Sequence, residues 1–405
     1  MAKYAYEKCE FYKKVRDDCR IKEGDKLCWE DIPIVNKTMI QTYNRNILSE
    51  DYLVKQYKNE LISISTSGTT GTCLDVKWDV EDANRSLSSL WLSRYSNIKI
   101  KPHDKYCYFF SSRFADWKIE RFSRINEYSL GIYSGNLTME DFPEIYNTIV
   151  KFSPKWMILQ PSMAALLCEA ISKFSLPLLP ELKYVELTGE IVMPELKKKI
   201  EEMFSCEVRI QYGSNEVFSI AYECEKGKLH CFESNVYVEV LDEKTMKNTE
   251  DGVEGDIYVT SLNNYAMPFI RYQLGDVGKI YHNYRCKCGK KGTIIYLSST
   301  RKNDMISLKN GQKLSAYIFH RVVSSINEKL EHVICQYQVI QKQVNNFEVK
   351  FVLDKHTDFK EVIQMFLLEL QEPLLEGATF RFYSKSYLEQ QKETGKVRCF
   401  KNEVQ

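Results

Sequence analysis

Residues 183–216 read KYVELTGEIVMPELKKKIEEMFSCEVRIQYGSNE. Lys183-Tyr184-Val185-Glu186-Leu187 is a short, mostly apolar run that ends in a polar cluster, Thr188-Gly189-Glu190. Pro194 then suits the first turn of a helix, where its fixed φ is helical and its missing N–H is not needed. In that helix Leu196, Ile200, Met203 and Phe204 fall at i, i+4, i+7 and i+8, one apolar stripe. A second run, Glu207 to Ile210, leads into Gln211-Tyr212-Gly213-Ser214-Asn215-Glu216. Strand, helix and strand in about thirty residues make a βαβ unit. Polar residues just after parallel strands sit where open α/β sheets bind ligands.

Working outward, Lys155 to Leu159 reads as another buried strand, with Ser162 as the N-cap of the helix after it. From Leu229 to about Tyr296 the period changes to strand alternation, with Val236, Val238 and Val240 on one face and Asp251-Gly252 and Gly275-Asp276 as turns. Beyond Thr300 the pattern predicts a hairpin at Asn345-Asn346, a helix near Asp358 to Gln371 and a strand near Thr379 to Tyr383. The expected architecture is α/β. A large N-terminal part, 1–299, combines parallel βαβ units with a β-subdomain at about 229–296, and a small α+β C-terminal domain, 300–405, follows it.

A chain of 405 residues can hold two or three domains and an enzyme-sized core, so a stapled miniature module is excluded. Lys plus Arg number 56 against 55 Asp plus Glu, and a net charge of +1 offers no global field for nucleic acid or an anionic membrane. The first residues, MAKYAYEKCEFYKK, carry charges in place of an apolar signal core. The uncharged run Trp156 to Cys168 is well short of the roughly 20 residues that span a bilayer. These features predict a cytoplasmic protein, in which thirteen cysteines are reduced thiols or metal ligands rather than a disulfide framework.

Ser65-Thr66-Ser67-Gly68-Thr69-Thr70-Gly71-Thr72 concentrates hydroxyls and glycines. Glycine lets the backbone approach an anion, and successive N–H groups with hydroxyls can cradle phosphate oxygens. It is not a Walker loop, since no Gly-Lys-Ser/Thr follows at the required spacing. Further blocks come in order: Thr188-Gly189-Glu190, Tyr212 to Glu216, Glu223-Cys224 with Gly227 and His230, Met267-Pro268-Phe269-Ile270-Arg271-Tyr272 with Leu274-Gly275-Asp276, Cys286-Lys287-Cys288-Gly289, Arg301 to Met305, and Gly395-Lys396. With Ile32 to Lys37 near the start, these blocks make the chain resemble the adenylate-forming superfamily, in its phenylacetate-coenzyme A ligase-like branch.

The resemblance implies two steps. A carboxylate attacks the α-phosphate of ATP to give an acyl-adenylate and pyrophosphate, and a thiol then captures the acyl group. It implies that the 65–71 loop and Mg2+ stabilise the leaving pyrophosphate and that Glu216 holds the Mg2+, a cation that demands hard oxygen ligands. Tyr212 would stack on adenine, with Gly213, Ser214, Thr188, Gly189 and Glu190 around the base and sugar, and Asp276 would accept from the ribose hydroxyls. Arg301 would contact nucleotide at the domain junction, Asp304 would lie in the hinge, and Lys396, on a mobile lid, would reach the α-phosphate and carboxylate. The hinge departs from the family, with Thr300 in place of a glycine and Asn303 in place of the first of two aspartates.

Cys224, His230, Cys286 and Cys288 supply three thiolates and one imidazole, enough for a closed structural Zn2+ site, and this branch carries similar elements. Cys231, beside His230, competes as a ligand. Phe109, Phe110, Trp117 and Trp156 are candidates for an acyl-pocket wall, while the remaining histidines lack metal-site spacing. The expected substrate is a small carboxylic acid, aromatic acids included, and the acceptor coenzyme A or a phosphopantetheinyl acyl carrier protein. A homodimer is compatible with the sequence. Two other functions stay open: transfer of the acyl group to an amine, and a nucleotide-binding, zinc-stapled interaction protein that has lost catalysis.

Overall fold

The three runs that read as strands are parallel neighbours, in the order Trp156–Leu159, Tyr184–Leu187, Glu207–Ser214. They belong to a computed structural model that describes residues 1–18, 29–42, 47–65, 74–110, 122–134, 137, 139–190, 192, 194–301, 305–309, 313–330, 333–353, 357–370, 375–388 and 399–404. The chain divides into two units. The first holds Met1–Tyr106, Pro154–Pro161 and Glu181–Ser298; the second holds Cys107–Ser153, Ser162–Pro180 and Ser299–Gln405. Among the described residues no helix is long and apolar enough to cross a membrane.

In the first unit the parallel strands continue into an antiparallel array. Its order from Glu207–Ser214 outward is Phe218–Glu223, Leu229–Cys231, Lys291–Arg301, Tyr272–Arg285, Gly255–Ser261 and Val236–Leu241. The region expected as a β-subdomain, about 229–296, lies in the antiparallel end of one mixed sheet. Val236, Val238 and Val240 are buried as their alternation predicts, whereas Glu239 is buried too, paired with Arg271. The helices Ala2–Lys8 and Glu10–Asp18 place Ala5, Cys9, Phe11, Tyr12 and Val15 in the same apolar core as Val238, Ile257 and Phe269. In the Pro194–Phe204 helix Ile200 and Phe204 are buried.

The Val80–Ile98 helix starts where the Asp79 carboxylate accepts from the Glu81 N–H, 3.1 Å away. Near its other end Arg94 donates from Nε and Nη2 to the two carboxylate oxygens of Glu186, at 2.8 and 2.5 Å, and both side chains are buried. The guanidinium lies 4.5 Å from the Trp91 ring centre and 4.8 Å from that of Trp156. The Tyr184 hydroxyl donates to Glu186 at 2.9 Å and lies 2.7 Å from the Tyr222 hydroxyl. Trp156, for which a pocket wall and a core position were both open with core favoured, is core: it is 2% exposed and stacks on Tyr106. Because a hydrogen bond to a buried charge contributes about 1.5–3 kcal/mol, Tyr184→Phe should lower unfolding free energy by that amount, read as an earlier urea midpoint with an unchanged slope.

Pro161 occupies the first position of the Pro161–Phe174 helix, most of which belongs to the second unit, so Ser162 lies inside it rather than capping it. In the second unit a four-stranded sheet runs Thr379–Ser384, Asn346–Leu353, Ile334–Gln343, Phe400–Asn402, with the two middle strands forming the expected hairpin. The Phe359–Glu369 helix is capped by Asp358, whose carboxylate accepts from the Lys360 N–H at 2.9 Å. Phe319, Phe347, Phe351, Phe366 and Phe400 fill the core between this sheet and its helices.

Candidate active site

Thr188 leaves the end of its strand with its N–H donating to the Leu159 carbonyl at 3.0 Å and its hydroxyl donating to Gln211 Oε1 at 2.5 Å. The turn therefore bridges both neighbouring strands. Gly189 follows at φ +80°, and Glu190 is exposed. The Glu207–Ser214 strand does not stop at Ile210 as its apolar run suggests. It continues through Tyr212-Gly213-Ser214 because a hairpin folds back on it, with Gly213 opposite Ser219 and Ser214 opposite Phe218. Gly213 is required by that approach: a Cβ there would lie 2.2 Å from the Phe218 carbonyl oxygen. The turn is held by Trp78, whose indole Nε1 donates to the Asn215 carbonyl at 3.0 Å and whose ring stacks on Phe218.

Two tyrosine–carboxylate hydrogen bonds cross between this strand and Tyr272–Arg285. Tyr212 donates to Asp276 Oδ2 at 2.8 Å, and Tyr272 donates to Glu216 Oε1 at 3.1 Å. Each strand lends one tyrosine and the opposite segment one acid. Glu216 is 8% exposed rather than a solvated loop residue, and no cationic side chain pairs with it among the described residues. A buried carboxylate without a positive partner is costly, and a bound cation relieves that cost. The Ser214 hydroxyl is buried with no hydrogen-bond partner among the described residues, a polar group open to a ligand. Tyr212 is 8% exposed and keeps its hydroxyl on Asp276.

Ser65 closes the Ile62–Ser65 strand, and Arg301 closes Lys291–Arg301. Thr66, Ser67, Gly68, Thr69, Thr70, Gly71, Trp117, Asp304 and Lys396 lie outside the described residues.

The four proposed zinc ligands come together. One ligand atom from each of Cys224, His230, Cys286 and Cys288 lies within 4.8 Å of the others. Cys224 and Cys286 Sγ are 3.8 Å apart, too far for a disulfide. Zn–S bonds of about 2.3 Å at the tetrahedral angle separate two sulfurs by about 3.8 Å. Cys288 Sγ lies 3.4 Å from His230 Nε2. The donor set and spacings fit a closed tetrahedral Zn2+ site. Burial and nearby Lys290 hold His230 below its ordinary pKa, leaving the imidazole neutral and able to bind metal.

The local sequence explains the convergence. Cys224-x-x-Gly227-Lys228 and Cys286-x-x-Gly289-Lys290 make the same turn twice. In each, the cysteine N–H donates to the lysine carbonyl at 2.9 Å and the glycine, at φ +69° or +88°, donates back to the cysteine carbonyl. Leu229–Cys231 pairs with the strand after the second turn, His230 opposite Ile294, and so sets the turns side by side. Cys231 is excluded because successive strand side chains point to opposite faces. It lines instead a cavity of about 480 Å³ with Trp29, Tyr237 and His282, none of them a residue of either site. The paired C-x-x-G-K turns are a sequence signal that spacing between cysteines alone does not register, and the roles of Tyr272 and Gln211 have no local signal.

A model of the family described as AMP-binding enzyme matches residues 42–267. The chain is 23% identical to the phenylacetate-coenzyme A ligase of Thermus thermophilus, over 92% of this chain and 81% of that protein. It is 21% identical to the protein CapK of Staphylococcus aureus, over 94% and 82%. Its fold matches 2-hydroxyisobutyryl-CoA ligase in the postadenylation state with 2-HIB-AMP, at a TM-score of 0.71 and 17% identity, covering 99% of this chain and 87% of that one.

Proposed function

The chain belongs to the AMP-binding enzyme family, and from that premise we propose that it is an ATP-dependent, AMP-forming acid–thiol ligase. A small carboxylic acid attacks the α-phosphate of ATP, the bond to pyrophosphate breaks, and the acyl-adenylate passes its acyl group to a thiol with release of AMP. Relatives named as coenzyme A ligases support coenzyme A as the thiol; an acyl carrier protein is the other candidate. The observation that carries the reading is Glu216, a buried acid without a cationic partner among the described residues, held by the Tyr272 hydroxyl beside the Tyr212–Asp276 pair.

Glu216 would hold Mg2+, which when bound neutralises charge on the phosphates. Asp276 Oδ1 would accept from the ribose while Oδ2 keeps the Tyr212 hydroxyl, so the Tyr212 ring and the ribose acceptor stay in fixed register. Thr188, Gly189, Glu190, Gly213 and Ser214 would line the nucleotide, and the 65–71 loop would take the pyrophosphate. Residues 1–299 would bind nucleotide and acid, and 300–405 would act as a mobile lid carrying Lys396, with Arg301 contacting the nucleotide at the junction and Asp304 in the hinge. Cys224, His230, Cys286 and Cys288 would hold a structural Zn2+, with no position left open for substrate.

Incubation of the protein with Mg2+, ATP, labelled pyrophosphate and a panel of acids, aromatic and aliphatic, should give acid-dependent label in ATP. No exchange with any acid would sink the reading. Adding coenzyme A, a holo-carrier protein or amines to the adenylating mixture then identifies the acceptor by the product formed.

A further inference from the structure

Tyr272 sits between the chain's N-terminal stretch and Glu216, and its surroundings leave it little freedom. It is 2% exposed and its ring stands edge-on to Phe269 at 5.0 Å. On one side of it Arg271 accepts at its carbonyl from the Val35 N–H at 3.1 Å; on the other the Gln273 N–H donates to the Val35 carbonyl at 2.8 Å. Arg271 is itself locked. Its backbone is at φ +45°, and its buried guanidinium pairs with Glu239 and donates to the carbonyls of Trp29, Glu30 and Ile32. The Tyr272 hydroxyl is delivered to one place, Glu216 Oε1. Burial first, then the charge of Glu216, push this phenol well above its ordinary pKa, so it stays a donor.

A neutral donor suits this position. A lysine or arginine beside Glu216 would cancel its charge and compete with a metal cation, whereas a phenol O–H orients the carboxylate and leaves it anionic. Among the described residues Oε2 accepts no hydrogen bond. We propose that Tyr272 is the positioning residue of the metal site: its hydroxyl holds Glu216 Oε1 so that Oε2 is presented to the cation. The inference rests on the Mg2+ reading of Glu216 and adds to it the residue that sets the carboxylate's orientation.

The test uses the full chain, with Mn2+ as the probe, titrated by electron paramagnetic resonance in the presence of ATP and without acid. Tyr272→Phe keeps the ring and removes the hydroxyl. It should weaken Mn2+ binding by about 10-fold, the usual effect of losing a partner behind a metal ligand, and raise the Mg2+ half-saturation of pyrophosphate exchange similarly. Metal-free ATP affinity and the KM for the acid should not move. Glu216→Gln should lose the tight Mn2+ site, and in that background Tyr272→Phe should add nothing, the non-additivity expected of one functional pair. If Glu216→Gln loses Mn2+ while Tyr272→Phe binds it normally, the positioning role is wrong and the metal ligand stands. If Glu216→Gln binds Mn2+ normally, the metal reading falls and this one with it. Should Tyr272→Phe fold poorly, Glu216→Asp retracts the carboxylate from the hydroxyl, and unweakened Mn2+ binding there overturns the proposal equally.

Discussion

Lys396→Ala should lower acid-dependent pyrophosphate exchange by about 10²–10³-fold, the loss typical of removing one charge-stabilising donor from a transition state. As the carboxylate attacks the α-phosphate, negative charge builds on the phosphoryl oxygens and the departing pyrophosphate, and an ammonium placed there acts more strongly in the transition state than in the ground state. Lys396 follows Thr394-Gly395 in a tail that also carries Lys392, Arg398 and Lys401. Lys396 is the one of these proposed to stand at the catalytic position, so alanine at Lys392 or Lys401 should leave the rate within a few-fold. ATP binding should persist in Lys396→Ala, because the binding loop and Asp276 lie elsewhere in the sequence. Thioester formation from supplied acyl-adenylate should persist too, since that step no longer builds charge on pyrophosphate. An unchanged exchange rate in Lys396→Ala would remove this lysine from the mechanism.

Cys286→Ser should abolish zinc binding and unfold the antiparallel end of the sheet before the rest. Protein purified without chelator should carry about one equivalent of zinc, matching the one set of four ligands among the described residues. Structural Zn2+ contributes about 10–16 kcal/mol of apparent binding energy in small zinc peptides, and that energy is folding energy wherever the site forms only in the folded chain. Here it would join two hairpin turns, Cys224 to Lys228 and Cys286 to Lys290. In Cys286→Ser, or after chelation, a protease should cut at these turns first and thermal unfolding should begin at lower temperature. Acidification should act in the same direction. His230 binds its proton less readily folded than unfolded, so stability present above its ordinary value of 6.5 is lost as the pH falls below it. Less than half an equivalent of zinc, with unaltered melting in Cys286→Ser, would dismiss the staple.

The parallel strands were legible because each is a short apolar run bounded by polar turns, a pattern set by neighbours in sequence. The strand extension to Ser214 was not, since Tyr212-Gly213-Ser214 is polar and becomes strand only by pairing with Phe218–Glu223. Trp156 is open between pocket and core in the sequence, and Arg94, from the Val80–Ile98 helix, laid against its ring decides for core. The four side chains that come together, Cys224, His230, Cys286 and Cys288, were legible as residue types in order. That Cys231 is left out follows from strand alternation at His230, and the spacing of cysteines does not contain it.

By itself the sequence determined the α/β class, the order of the motif blocks and which acids and thiols are proposed to carry chemistry, because residue type and short-range period are written along the chain. Which hydroxyl holds which acid was decided only by the tertiary structure. Tyr212 meets Asp276 and Tyr272 meets Glu216 across strands far apart in sequence, and such a pairing depends on sheet order and register, which no local pattern encodes.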